Sequence, residues 1–332
     1  MTETLNTEEL DRFIQGLVAE DKFSGVVLIA KNNTPIFRKA YGLACKRFSV
    51  PNTLDTKFNI GSINKIFTKL AILQLAEQGK LTYEDLVGKF LAEFPPAIAT
   101  KVTIRHLLTF TAGLGHYWNE RFRAAIGTLR TVDDFVRLFI EEPLLFEPGE
   151  RREYSNNCYV VLGKIIEAIT GQSYYDYIRE HIYTPAGMMD SDHYELDMPV
   201  HKMATGYTRQ DPWAVNGPRT AVNAPRRNNV FLIGSKGSPA GGGYSTVDDL
   251  LRFDLAVQNN HLLSPESSGK VLRPVGAKEE STPRVIALAG GAPGVAAFFV
   301  RYPQIGYTVI ILSNYDPDDA EVVEKKISTM LL

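Results

Sequence analysis

Ser62, Ile63, Asn64 and Lys65 place a hydroxyl and an amine three residues apart at the head of an apolar run. A serine is a weak nucleophile at neutral pH and needs a base within hydrogen-bond reach. On a helix, positions i and i+3 share a face about 5–6 Å apart at Cβ, which sets Lys65 beside the Ser62 hydroxyl. An amine accepts a proton at neutral pH only when its pKa falls well below about 10.4, as burial or a neighbouring cation makes it do. Ile63, Ile66 and Phe67 supply an apolar setting for that. A helix N-terminus adds backbone N–H groups and positive dipole where an oxyanion would form. The pattern is short, and a second copy stands at Ser267-Ser268-Gly269-Lys270. That copy lies between Pro265 and Pro274, contains a glycine and lacks the apolar stripe, so it is expected to be loop.

Tyr154-Ser155-Asn156 is the second chemical element. A phenol beside a cationic lysine has its phenolate favoured and can shuttle a proton between nucleophile and leaving group. Asn156 brings an amide donor and acceptor to orient Lys65 or a substrate carbonyl. Both are expected in a turn after Pro148-Gly149 and before a helix starting near Cys158. Tyr117-Trp118-Asn119 has the same spacing, and its bland reading is a core tyrosine with a capping asparagine. The third element is Gly290-Gly291-Ala292-Pro293-Gly294, ahead of an apolar strand. Glycines at a strand edge allow another backbone or a substrate to approach closely, and a free N–H there would complete an oxyanion site with that of Ser62.

The elements that must hold these groups are legible on either side. Thr7 with Glu8 and Glu9 reads as a helix cap and acidic first turn, followed by the stripe Leu10, Phe13, Leu17, Val18. Ser24 to Ala30 reads as a buried strand, Asn32-Asn33 as a turn, and Pro35 to Tyr41 as the returning strand. Helices are expected from Ser62 to the glycine stop at Gly79, over Val132–Glu141, over Cys158–Thr170 ahead of Gly171, and over Tyr174–Ile182. Residues 203–240 read as surface loop and Asp248 to Val257 as helix. Val295–Arg301 and Tyr307–Ser313 form a hairpin before a final helix, Asp318–Leu331. The fold class is therefore α+β, an α/β sandwich. Its antiparallel sheet is built from both termini and flanked by terminal helices, with a mainly helical lobe inserted. Within one catalytic domain over 1–332, the α/β lobe takes about 1–60 plus 241–332 and the helical lobe about 61–240.

Composition narrows the partners. A net charge of −2 with no basic run argues against nucleic acid or anionic membrane and for a small molecule. Cys45 and Cys158 stand far apart and read as two isolated thiols, with one disulfide as the alternative. With a polar start and no apolar run of about 18 residues, a cytoplasmic location is the default expectation. The six histidines show no close pairing, so neither metal nor cofactor is expected. Of these, only His116 stands out, because the Gly115-His116-Tyr117-Trp118 loop is a candidate to line the cleft. No serine carries a G-x-S-x-G frame.

Taken together, the three elements resemble the superfamily of serine β-lactamases, D-alanyl-D-alanine carboxypeptidases and family VIII esterases, with the class C-like branch nearest. Phe58–Ser62, Leu107-Leu108-Thr109-Phe110-Thr111-Ala112-Gly113-Leu114, Phe146-Glu147-Pro148-Gly149 and Pro239–Thr246 also resemble its landmarks, from about residue 8 to the C-terminus. The resemblance implies a β-lactamase/transpeptidase-like fold. It implies acylation of Ser62, with Lys65 as base and Tyr154 protonating the leaving group before water releases the acyl group. Gly291, after the third-motif glycine Gly290, would share the oxyanion with Ser62. Two departures matter. Leu288 stands where the family carries Lys, His or Trp, so a substrate carboxylate loses a partner worth roughly 1.5–3 kcal/mol. The stretch before Leu288 is short, so a strand there is expected to be abbreviated or missing. Phe110 replaces a usual histidine. The expected function is a serine hydrolase of small ester or amide substrates, esterase-like through acyl-Ser62. The alternatives are a β-lactamase or D-Ala-D-Ala carboxypeptidase acting on a lactam or peptide, an acyltransferase, and a non-catalytic ligand-binding homologue.

Overall fold

The structure is a computed structural model and describes residues 5–211, 213, 224–273 and 283–332. The N-terminal helix α1 spans Thr7–Ala19. Its cap is Asn6 rather than the expected Thr7, because the Asn6 side-chain oxygen accepts from the Glu9 N–H at 3.1 Å. Strands β1 (Gly25–Lys31) and β2 (Thr34–Tyr41) form a hairpin. Asn32 and Asn33 turn it at φ 47° and 66°, a left-handed pair that matches strand twist.

Beyond the hairpin lie helices α2 (Lys65–Glu77), α3 (Asn156–Thr170), α4 (Val247–Gln258) and α5 (Pro265–Val271). The chain then returns to the sheet as β3 (Ile286–Ala292), β4 (Val295–Tyr302) and β5 (Tyr307–Ser313), and ends in α6 (Pro317–Leu331). The antiparallel sheet has the order β2-β1-β5-β4-β3, with Gly25 opposite Ser313 and Gly291 opposite Ala296. Both termini therefore build it, as the pattern predicts. Leu288 lies inside β3, a seven-residue edge strand that begins at Ile286; residues 274–282, in the stretch where a strand is expected to be abbreviated or missing, fall outside the described residues.

Alternation on the two central strands divides the interior. Val27 and Ile29 with Val309 and Ile311 face Leu10 and Ile14 of α1 and Ala320, Val323 and Ile327 of α6. Val26, Leu28, Ile310 and Leu312 face the helical side. A period of two on a strand buried on both faces produces this split. Helix α2 is buried on nearly every side, Lys65, Thr68 and Lys69 included. Phe67 locks it edge-on against Tyr183 and Phe253, each with ring centroids 5.0 Å away.

Three further expectations are corrected. Ser267–Lys270 is helix, not loop: Ser264 caps α5 with Pro265 in its first turn, where a missing N–H does no harm. The helix expected over Val132–Glu141 is Val132–Val136. The stretch 203–240 is not simply surface loop: Ile233, Gly234, Gly237 and Ala240 line a cavity at Ser62, and residues 212 and 214–223 fall outside the described residues. Cys45 and Cys158 are both free thiols. Among the described residues no helix is long and apolar enough to cross a membrane.

Candidate active site

Gly61–Asn64 forms a 3-10 turn that runs directly into α2 at Lys65. Three residues per turn eclipse positions i and i+3, which stacks Lys65 on Ser62 more directly than the expected α-helical turn. The Lys65 Nζ lies 3.1 Å from Ser62 Oγ and donates at 2.8 Å to Asn156 Oδ1 and also to the Ala240 carbonyl. Ser62 Oγ lies 2.8 Å from the Tyr154 hydroxyl. Serine, lysine, tyrosine and asparagine thus converge on one point although 94 residues separate Ser62 from Asn156 in sequence.

The expected turn holding Tyr154 and Asn156 is partly helix. Ser155 is the N-cap of α3, accepting from the Cys158 N–H at 3.3 Å, and Asn156 is the first helical residue. The Ser155 hydroxyl donates to the Gly115 carbonyl at 2.6 Å, tying this corner to the 115–118 loop. The decoy Tyr117-Trp118-Asn119 takes its bland reading. Tyr117 is buried with its hydroxyl 3.1 Å from Ser238 Oγ, and Asn119 caps the helix Glu120–Ala125.

Burial drives the Lys65 amine down to about 7, and this is the largest influence on it. Desolvation, the largest influence on Tyr154 as well, raises its phenol, against the lowering effect of the Ser62 hydrogen bond. The phenolate expected from a neighbouring cation is therefore disfavoured, because burial penalises the charged form of the phenol. A neutral amine has two N–H bonds and one lone pair. Ala240 O and Asn156 Oδ1 take the two N–H bonds, which leaves the lone pair for the Ser62 hydroxyl.

The glycines answer a steric demand. A Cβ on Gly290 would stand 2.0 Å from the Ile60 carbonyl and 2.8 Å from the Ser62 nitrogen. Gly61, at φ +50°, faces the Gly291 nitrogen in the same way, at 2.7 Å from the position of a Cβ. The edge strand β3 thus lies against the backbone that carries Ser62, and Ser62 and Gly291 line one cavity. Gly290→Ala is expected to force that backbone apart. Overpacking of this kind costs about 1–3 kcal/mol, so a lower melting temperature and at least tenfold slower ester turnover should appear together. Wild-type values of both would refute the close packing.

A cavity of about 330 Å³ opens on Ser62, Tyr154, Asn156 and Gly291, walled by Trp118, Tyr194, Leu196 and Ile233. A second, of about 520 Å³, reaches Ser62, Lys65 and Tyr154 from the other side, over Leu108, Phe110 and Leu288 with Arg152 at its rim. Leu288 and Phe110, the two departures from pattern, are therefore both wall residues of this second space. Phe110 lies under Tyr154 with ring centroids 4.9 Å apart and under the Arg152 guanidinium at 5.5 Å. His116 is placed behind the site, its Nδ1 accepting from the Asn156 N–H at 3.4 Å and its ring 5.8 Å from that of Tyr154. It lines neither cavity, and burial lowers its pKa first of all. The Gly115–Trp118 loop does line the first cavity, through Tyr117 and Trp118 rather than His116, whereas sequence reasoning missed Ala240 and Arg152. The signal for Ala240 was present in the Pro239–Thr246 landmark, but a backbone carbonyl has no residue type to betray it. Among the described residues no three His, Cys, Asp or Glu side chains gather as a metal site.

Comparison with known proteins bears on the whole chain. The family model described as Beta-lactamase matches residues 10–331. Penicillin-binding protein 4* of Bacillus subtilis is 31% identical over 335 residues, spanning 94% of this chain and 72% of that protein. Esterase EstB of Burkholderia gladioli is 30% identical over 287 residues, 79% of this chain and 72% of its own. A crystal structure of a penicillin binding protein from Bacillus halodurans superposes with a TM-score of 0.82 at 28% identity, covering 95% of this chain and 99% of the other.

Proposed function

The chain belongs to the Beta-lactamase family, and from that premise we propose that it is a serine hydrolase that cleaves esters or amides of small molecules through an acyl-Ser62 intermediate. The observation that carries this reading is the convergence of Ser62, Lys65 and Tyr154 within hydrogen-bond distance at the meeting point of two cavities. Lys65, with its lone pair toward Ser62, takes the hydroxyl proton as Oγ attacks the carbonyl carbon. The Ser62 and Gly291 N–H groups receive the oxyanion. As the carbon–leaving-group bond breaks, the Tyr154 phenol gives its proton to the departing oxygen or nitrogen and recovers one from the Lys65 ammonium. Water then attacks the acyl carbon, losing its proton to the same base, and Ser62 leaves reprotonated.

Apolar walls at Trp118, Ile233, Leu108 and Leu288 favour neutral substrates, which supports an esterase-like reading over a carboxylate-bearing lactam or peptide. Arg152 at the rim of the second cavity favours the other reading, since a guanidinium suits a carboxylate. One experiment separates them. Purified protein is incubated with a serine-reactive fluorophosphonate, with p-nitrophenyl butyrate, and with the mono-p-nitrophenyl ester of glutaric acid. Gain of one adduct in the intact mass and release of nitrophenol are expected, faster from the butyrate. Faster release from the acid-bearing ester would favour the carboxylate reading. Absence of both adduct and turnover would overturn the hydrolase assignment in favour of a binding protein. The assay in water also reports transfer, because an added alcohol that raises nitrophenol release signals an acyl acceptor other than water.

A further inference from the structure

Behind the site, three successive backbone carbonyls are taken up by one face of the helix that carries the base. Asn64 Nδ2 donates to Ser238 O at 3.2 Å, Thr68 Oγ1 donates to Pro239 O at 2.7 Å, and Lys65 Nζ donates to Ala240 O. Residues 238–241 close into a tight turn, with mutual backbone hydrogen bonds between Ser238 and Gly241 at 2.7 and 3.0 Å. The turn is wedged from the other side by α3, where Gly163 leaves room for the Pro239 ring: a Cβ there would meet Pro239 Cγ at 2.2 Å.

One phenol ties this arrangement together. The Tyr174 hydroxyl is 2.8 Å from Thr68 Oγ1 and accepts from Asn64 Nδ2 at 3.3 Å. Thr68 has a single proton, which goes to Pro239 O, so Tyr174 must be the donor to Thr68. The hydrogen bonds therefore run one way, from Asn64 to Tyr174 to Thr68 to the Pro239 carbonyl. Asn64, Thr68 and Tyr174 are all fully buried, where polar groups are strongly selected to be paired; of their side-chain polar atoms Asn64 Oδ1 has no partner among the described residues.

We propose that Tyr174 and Thr68 are positioning residues for the reaction, fixing the 238–241 turn so that the Ala240 carbonyl holds the Lys65 amine with its lone pair on Ser62. The assignment rests on the proposed role of Ser62 and Lys65. Losing the Thr68 hydroxyl frees the Pro239 carbonyl and lets the turn drift, and the amine then points its lone pair elsewhere for part of the time. Misplacement on this scale reduces the rate of the chemical step more than substrate binding.

The test compares Thr68→Val, which keeps the shape and loses the hydroxyl, with Thr68→Ser, which keeps the hydroxyl. Tyr174→Phe and the Tyr174→Phe/Thr68→Val double variant complete the series. Tyr183→Phe is the control: it removes a buried phenolic oxygen that has no hydrogen-bond partner among the described residues. With p-nitrophenyl butyrate, Thr68→Val and Tyr174→Phe should each lower kcat about tenfold with KM within about twofold of wild type. The double variant should be no slower than the slower single one, since both break one chain. Thr68→Ser and Tyr183→Phe should stay within about twofold. If folded Thr68→Val keeps its kcat, or if Thr68→Ser falls as far as Thr68→Val, the positioning role is overturned and the threonine is packing alone. Should Thr68→Val fail to fold, the kcat and KM of Tyr174→Phe decide by the same criterion. Retained turnover in Ser62→Ala would instead bring down the reading beneath it.

Discussion

Ser62→Ala is expected to lose ester turnover by a factor of about 10⁴ or more and to take up no fluorophosphonate, while its melting temperature stays near that of the wild type. The size follows from the role: removing the nucleophile of a serine hydrolase leaves only binding and oxyanion stabilisation. Stability should hold because Ser62 is only half-buried and faces the cavities, and a hydroxyl in such a place contributes little to the fold. Intact mass after labelling and nitrophenol release give two independent readings. The same experiment decides between the two copies of the S-x-x-K pattern. If label persists in the variant and maps to Ser267, the wrong serine has been assigned. The structure argues against that outcome, since Ser267 belongs to the capped helix α5, where its N–H bonds the Ser264 hydroxyl and Lys270 lies 2.9 Å from Glu266. That lysine is paired with a carboxylate at the surface.

The terminal elements were legible because they depend on local rules. Strand β1 is announced by the continuous apolar run Val26 to Ala30, its turn by Asn32-Asn33, and Gly79 and Gly171 mark helix ends by their left-handed φ of 69° and 70°. The site was legible for a different reason. Ser62, Lys65, Tyr154 and Asn156 are rare as a set, and their types point to one chemistry whatever connects them. What escaped the sequence depends on tertiary contact. Ser267–Lys270 was expected as loop because its glycine and flanking prolines break helices locally. Capping by Ser264 and burial of Val271 and Ser268 outweigh that propensity, as tertiary context commonly does. The Ala240 carbonyl and the three-carbonyl turn were invisible because backbone groups do not register in composition. Residues 203–240 looked like solvent-facing loop because Gly, Pro and Asn serve equally at turns in water and at close contacts against a cavity.

Lys65→Met is expected to lower kcat by roughly 10³-fold or more and to abolish the acid limb of the pH–rate profile. In the wild type, burial brings the Lys65 amine to about 7. Below that pH the amine is protonated and has no lone pair for Ser62, so kcat/KM should rise about tenfold per pH unit up to about 7 and level off above it. Other titrating groups stand near: Tyr154 and Cys158 are both pushed up by burial, and His116 is pushed down by it. A limb from His116, or from Lys69, which burial brings to about 8 in the second cavity, would survive in Lys65→Met, whereas a limb belonging to Lys65 would vanish with the side chain. Stability offers a second check that does not require activity. Between about 7 and the ordinary lysine value near 10.5, the unfolded chain binds a proton at Lys65 that the folded chain does not. The wild type therefore gains stability relative to Lys65→Met as pH rises through that window, and the gap between them is constant below it. Denaturant melts of both proteins at pH 6, 8 and 10 measure the gap. A gap that does not move with pH would mean that Lys65 keeps its proton in the folded state, and would transfer the role of base to another group.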